Sequence, residues 1–105
     1  MLAASLAMLL PASVSQAQQA KEISITYRGK QFHPAELSAP ANTPLNIRVR
    51  NQDAQAMEFE SDTLRVEKVI GANSEATVSV RPMAPGRYEF YDEMNQGSHG
   101  YLNVK

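Results

Sequence analysis

Leu45-Asn46-Ile47-Arg48-Val49-Arg50-Asn51-Gln52-Asp53 alternates apolar with polar residues and then breaks on Asn51 and Asp53. A period of two places Leu45, Ile47 and Val49 on one face of an extended strand and Asn46, Arg48 and Arg50 on the other, so one face is buried and the other wet. Asn and Asp end such a run because their side chains bond to nearby backbone in turns. The same alternation recurs on either side. Ile23, Ile25 and Tyr27 alternate with Ser24, Thr26 and Arg28, and further strands are predicted at Met57 to Glu60, Ala76 to Val80, Arg87 to Tyr91 and Tyr101 to Val104. Turn chemistry separates them at Pro34, at Pro40 with Asn42 and Pro44, at Gly71 to Ser74, at Pro82 to Gly86, and at Gly97 to Gly100. The nearest approach to a helical period is Ser61 to Lys68, and it is short. Short strands joined by turns predict an all-β sandwich or barrel.

The chain has 105 residues, enough for one compact domain and too few for a second core, which argues against an enzyme built around a deep cleft. Its 10 lysines and arginines nearly balance 11 aspartates and glutamates, so there is no net field to gather nucleic acid or an anionic membrane surface. Cysteine is absent, which excludes disulfides, thiolate metal ligands and cysteine nucleophiles together. A bound metal would therefore meet oxygen, imidazole or thioether. Nothing in the sequence forms a nucleophile elbow, an H-E-x-x-H helix or a phosphate-cradling glycine loop, and no enzymatic activity is expected.

Residues 1–17 read as a signal peptide: Met1 to Ala17 carries no charge, has an apolar stretch from Leu2 to Leu10, and ends on small residues at Ser15 and Ala17. Cleavage is expected after Ala17, with Ala20 the second choice. The apolar run is well short of the roughly 20 residues that span a bilayer, which weighs against a membrane anchor. The folded domain is expected to occupy residues 21–105, outside the inner membrane.

Over those residues the sequence resembles the cupredoxins. Phe32-His33-Pro34-Ala35-Glu36-Leu37, the run Pro40 to Asp53 with its closing N-x-D, Pro85-Gly86-Arg87-Tyr88-Glu89-Phe90-Tyr91-Asp92 and Gly100-Tyr101-Leu102-Asn103-Val104 follow that family's pattern in order and spacing. The resemblance implies a Greek-key β-sandwich or barrel. It also shows what has changed. Met57 stands where copper cupredoxins have their first histidine, Asp92 where they have the cysteine, Asn95 at the second histidine and Ser98 at the axial methionine. Thiolate and imidazole make the blue-copper centre, so electron transfer through such a centre is excluded.

Met57-Glu58-Phe59-Glu60-Ser61, Glu67-Lys68-Val69-Ile70 and Phe90-Tyr91-Asp92-Glu93 further resemble cupredoxin-like domains that accompany bacterial periplasmic iron uptake. That resemblance implies a periplasmic metal-binding accessory of high-affinity iron uptake, holding a copper or iron ion. Its partners would be an inner-membrane iron permease and a second periplasmic iron- or copper-binding protein, not nucleic acid. The alternative is a metal-free module of the same fold that docks on a membrane partner.

In a cupredoxin sandwich two loops meet at one end of the barrel, which implies that Met57, Glu58 and Glu60 approach Asp92, Glu93, Met94 and His99, with Glu67 added from the iron-associated pattern. Met57, Glu67, Asp92, Glu93 and His99 are the first candidates for metal ligands, and Glu58, Glu60 and Met94 are in reserve. Ordinary roles compete with each. Glu58 and Glu60 flank Phe59 and would face solvent if it faces the core; Glu67 beside Lys68 fits a surface ion pair; Met57 and Met94 fit core filling. With no cysteine available, Cu(II) added to the purified protein is expected to give no intense thiolate-to-copper absorption, and a strong blue colour would overturn the ligand assignment.

Overall fold

The computed structural model describes residues 19–105, together with Ala3 and Ser5; the rest of the expected signal peptide and its cleavage site after Ala17 lie outside the described residues. Nine strands account for the domain: β1 Lys21–Arg28, β2 Gln31–His33, β3 Glu36–Ala39, β4 Leu45–Asn51, β5 Met57–Ser61, β6 Val66–Ile70, β7 Ser74–Val80, β8 Gly86–Asp92 and β9 Asn95–Val104. Among the described residues no helix is long and apolar enough to cross a membrane.

The strands form two mixed sheets, one of order β2-β1-β4-β7 and one of order β3-β9-β8-β5-β6. Parallel pairs β1 with β4 and β3 with β9 arise because the chain crosses from sheet to sheet between them, as a Greek-key sandwich requires. The predicted alternation holds. Leu45, Ile47 and Val49 are buried while Arg48 and Arg50 are exposed on the outer face. Asn51 and Asp53 do what their side chains favour: Asn51 Nδ2 donates to the carbonyls of Gln55, Ile70 and Gly71 at 2.8, 3.3 and 3.0 Å, and Asp53 accepts from the backbone N–H groups of Gly29 and Lys30 at 2.7 and 2.9 Å. These bonds gather three loops at one end of the sandwich.

Ser61 to Lys68 is not helical. Residues 62–65 form a tight turn in which Arg65 takes a positive φ of 55°, and β6 follows at once. Ser61 fixes the turn by donating from Oγ to the carbonyl of Glu89 at 2.6 Å while accepting from the N–H of Leu64 at 3.2 Å. β2 and β3, short and bounded by prolines, escape a reading based on alternation because three or four residues are too few to show a period.

Between the sheets lies one core in which Tyr27, Phe32, Phe59 and Phe90 meet, with ring centroids 4.9 to 6.0 Å apart in tilted, edge and stacked arrangements. Gly100 on β9 is required by this packing. A Cβ there would sit 2.6 Å from the Phe90 ring and 2.6 Å from the carbonyl oxygen of Ala35. Neither neighbour is free to move, one being core and the other backbone. Gly100→Ala is therefore expected to destabilise the domain by about 1–3 kcal/mol through overpacking, read from the midpoint of denaturant unfolding; an unchanged midpoint would show that β9 can shift.

Candidate metal centre

β5 divides its residues by strand alternation. Met57, Phe59 and Ser61 point into the core and Glu58 and Glu60 point outward. β6 pairs antiparallel with β5 so that Glu60 lies opposite Glu67 and Glu58 opposite Val69. On the other side β8 brings Tyr91 opposite Glu60, and the N–H of Glu93 donates to the carbonyl of Glu58 at 3.0 Å. The outer face of the five-stranded sheet thus collects Glu58, Glu60, Glu67 and Glu93. Carboxylate oxygens of Glu58, Glu60 and Glu67 lie within 4.8 Å of one another.

Among the described residues none of these four carboxylates has an ion-pair partner; the ion pairs are Arg48 and Arg50 with Glu75, and Arg87 with Glu36. The electrostatic result is visible on two members. Burial, then the neighbouring carboxylate of Glu93 and the charges of Glu67 and Glu58, push the Glu60 carboxyl from an ordinary 4.5 up to about 7. Glu58 is also raised, first by its hydrogen bond with Glu67 and then by desolvation and neighbouring negative charge. Oε2 of Glu60 is buried and has no hydrogen-bond partner. An oxygen withdrawn from water with nothing to bond is a position that a cation would satisfy.

The inward side of the same strands is different chemistry. Asp92, at the position of the cupredoxin cysteine, is 2% exposed and accepts from the Tyr27 hydroxyl at 2.6 Å and from the N–H groups of Glu58 and Met94 at 2.9 and 3.0 Å. Burial and the hydrogen bond to Asp92 raise the Tyr27 phenol to about 12. Asn95 donates to Ser98 Oγ at 2.9 Å, and Ser98 donates to the carbonyl of Lys30. Beside this network is a cavity of about 100 Å³ lined in part by Gln55, Met94 and Asn95.

The expectation that all eight candidates converge at one barrel end is thereby corrected. Met57 is 0% exposed and packs in the core, on the side of β5 opposite the carboxylates. Asp92 faces inward opposite Phe59 and is held by its own donors. Met94, 55% exposed, sits on the two-residue turn between β8 and β9, at the cavity and away from Glu60 and Glu67. His99 is exposed on the correct outer face, but it pairs with Tyr91, so β8 separates it from Glu60 by two strand spacings, roughly 10 Å. Its ring lies instead 5.8 Å from that of Tyr101. Glu58 and Glu60, the reserves, are central, and Glu67 and Glu93 join them. The signal for this was present in the chain: two runs flanking the four-residue turn 62–65 put Glu60 opposite Glu67 by counting outward from the turn.

Residues 1–104 match the family described as Cupredoxin-like domain. The chain belongs to the cupredoxin-like domain family. An uncharacterized protein of Rickettsia prowazekii, RP394, is 29% identical over 84 residues, covering 79% of this chain and 67% of that one. Among solved structures, the metal-binding domain of the Streptococcus pneumoniae D39 Cu(I)-exporting P-type ATPase CopA, determined with Cu(I), has a TM-score of 0.72 at 23% identity over 80% of this chain and 84% of that one. A copper-binding protein in its apo form gives 0.73 at 20% identity over 86% and 93%, and auracyanin B gives 0.70 at 19% over 88% and 94%. At these identities the likeness shows the fold. A blue-copper ion does not fit this cupredoxin-like domain: the four positions it would need are Met57, Asp92, Asn95 and Ser98, with neither thiolate nor imidazole, and the polar three of them already bond to protein groups.

The raised carboxyls make stability depend on pH in a defined direction. A group whose folded pKa of about 7 exceeds its ordinary 4.5 contributes stability that is fully present below 4.5 and is lost as pH rises through about 7. Without added metal, the melting temperature is expected to fall between pH 5 and pH 8, and Glu60→Gln is expected to flatten that fall. Equal slopes for wild type and variant in thermal unfolding would show that the carboxylates do not interact in solution.

Proposed function

We propose that this cupredoxin-like domain is an exported metal-binding accessory of iron uptake. It holds a hard cation as cargo on Glu58, Glu60, Glu67 and Glu93 and passes it to an inner-membrane iron permease, with no catalytic step of its own. The observation that carries this reading is the set of three carboxylates with oxygens within 4.8 Å, unneutralised by any cationic side chain among the described residues, one of them with a buried oxygen lacking a partner. An all-oxygen donor set favours ions such as Mn(II) and the iron ions over Cu(I), which would seek thioethers, and both nearby methionines lie outside the cluster. Donors on an exposed sheet face leave much of the coordination sphere open to water or to a partner's ligands, which suits an ion that must be handed on. The sequence resemblance to iron-uptake-associated domains supplies the cargo and the partner.

A metal-free docking module is the second reading, and a specific observation favours it: Val69, a large hydrophobic residue 55% exposed, lies opposite Glu58 and so borders the acidic face. Calorimetry separates the two. Mn(II) and Fe(II) are expected to bind the wild-type protein, more weakly as pH falls below about 7 because the proton of Glu60 competes. Glu60→Gln and Glu67→Gln are each expected to lower affinity at least about tenfold, a change of ~1.4 kcal/mol, while His99→Ala leaves it unchanged. Absence of binding by the wild-type protein would favour the docking module.

A further inference from the structure

Asp92 links the inner network to the outer cluster through the backbone. The β5–β8 ladder ends at the pair Phe59 and Asp92, so the N–H of Glu58, one residue further, has no strand carbonyl opposite it. Oδ1 of Asp92 takes that place, accepting from Glu58 N–H at 2.9 Å, and the same oxygen accepts from Met94 N–H at 3.0 Å. Between those two contacts sits Glu93, whose own N–H bonds the carbonyl of Glu58 at 3.0 Å. Glu58 is thus held through both its N–H and its C=O by residues 92 and 93. The far oxygen, Oδ2, is anchored by Tyr27 at 2.6 Å.

Resting on the metal reading of the cluster, we infer that Asp92 is a positioning residue and not a ligand: its buried carboxylate clamps β5 to the β8–β9 turn and thereby sets the relation between the Glu58 and Glu93 side chains on the opposite face. The residue at the cupredoxin thiolate position has exchanged coordination for hydrogen bonding. Turning it outward to a metal would strip three donors at once from a nearly inaccessible group, leaving two backbone N–H groups unpaired and the Tyr27 phenol with only the long 3.4 Å contact to Ser98 Oγ, and each such loss in a buried setting is costly. The carboxylates it aligns pay no such penalty, because they already face outward.

The inference separates two variants. An amide oxygen still accepts from both N–H groups, and the Tyr27 hydroxyl can turn to accept from an NH2, so Asp92→Asn preserves the clamp, whereas Asp92→Ala removes it. By nuclear magnetic resonance, the amides of Glu58 and Met94 in Asp92→Asn are expected to exchange with solvent at wild-type rates, and those in Asp92→Ala about tenfold faster or more. Mn(II) affinity is expected to stay within about threefold of wild type in Asp92→Asn and to fall about tenfold in Asp92→Ala. If Asp92→Asn loses Mn(II) as fully as Glu60→Gln does while its amides stay protected, Asp92 is a ligand and the inference fails; it fails equally if Asp92→Ala changes neither exchange nor affinity. Should Asp92→Ala not fold, Asp92→Asn alone still decides between clamp and ligand. A wild-type protein that binds no Mn(II) yet shows the expected amide pattern in the variants would remove the metal reading and leave the clamp in place.

Discussion

A carboxylate enclosed at the end of a β-sandwich survives there only if donors surround it, and Asp92 is surrounded by a phenol and two backbone N–H groups. That requirement organises the end of the molecule. Tyr27 must be on the facing sheet with its hydroxyl inward, the β8–β9 turn must be tight enough to aim the N–H of Met94 back at its neighbour, and β5 must approach closely enough for Glu58 to donate. Each element is therefore located by one charged group at the position where related folds have a metal-bound thiolate. The scaffold keeps a polar hub there and changes its chemistry.

The alternation of β5 carries that hub to the surface. Glu58 donates its backbone N–H inward to Asp92 while its side chain stands outward with Glu60. Period-two geometry makes the two sides of a strand chemically independent but mechanically joined. This explains why sequence reasoning grouped residues that the strand holds on opposite sides. Met57, Glu58 and Glu60 are consecutive or nearly so, and proximity along the chain suggested one site, yet Met57 belongs to the core and the two glutamates to the outer face. His99 was drawn in by the chemistry of its ring, whereas its place is set by a register with Tyr91 that only the order of strands in the sheet reveals.

The architecture was more legible than the site because it rests on repeated local signals. Leu45 to Val49 alternates over a full strand, Asn51 and Asp53 bond to loops as Asx residues do, and glycine occurs at residue 100, where a side chain would collide with Phe90. β2, β3 and β6 were obscure for a physical reason: β2 and β3 have only three and four residues, and β6, unlike β5 of the same length, does not alternate buried with exposed positions. Leu64 interrupts the polar run of the β5–β6 turn and is buried under it, which gave that turn a faintly helical look.

The two outer faces of the sandwich offer an internal comparison that bears on whether the acidic cluster is an ordinary wet surface. On the four-stranded sheet, Arg48 and Arg50 share Glu75 across the ladder at 3.0 and 3.2 Å, so like charges are interleaved with their opposite. That is the usual arrangement of charge on a solvated strand surface, because cross-strand pairs of opposite sign stabilise and like pairs do not. On the five-stranded sheet Glu60 is set directly opposite Glu67, with Glu58 and Glu93 alongside, and burial of Glu60, the hydrogen bond of Glu58 with Glu67 and the added like charge lift the carboxyls of Glu58 and Glu60. One lysine at any of these positions would relieve it. A fold that neutralises one face and leaves the other strained in this way retains a local cost that packing and turn geometry do not require, and such costs concentrate where a ligand offsets them.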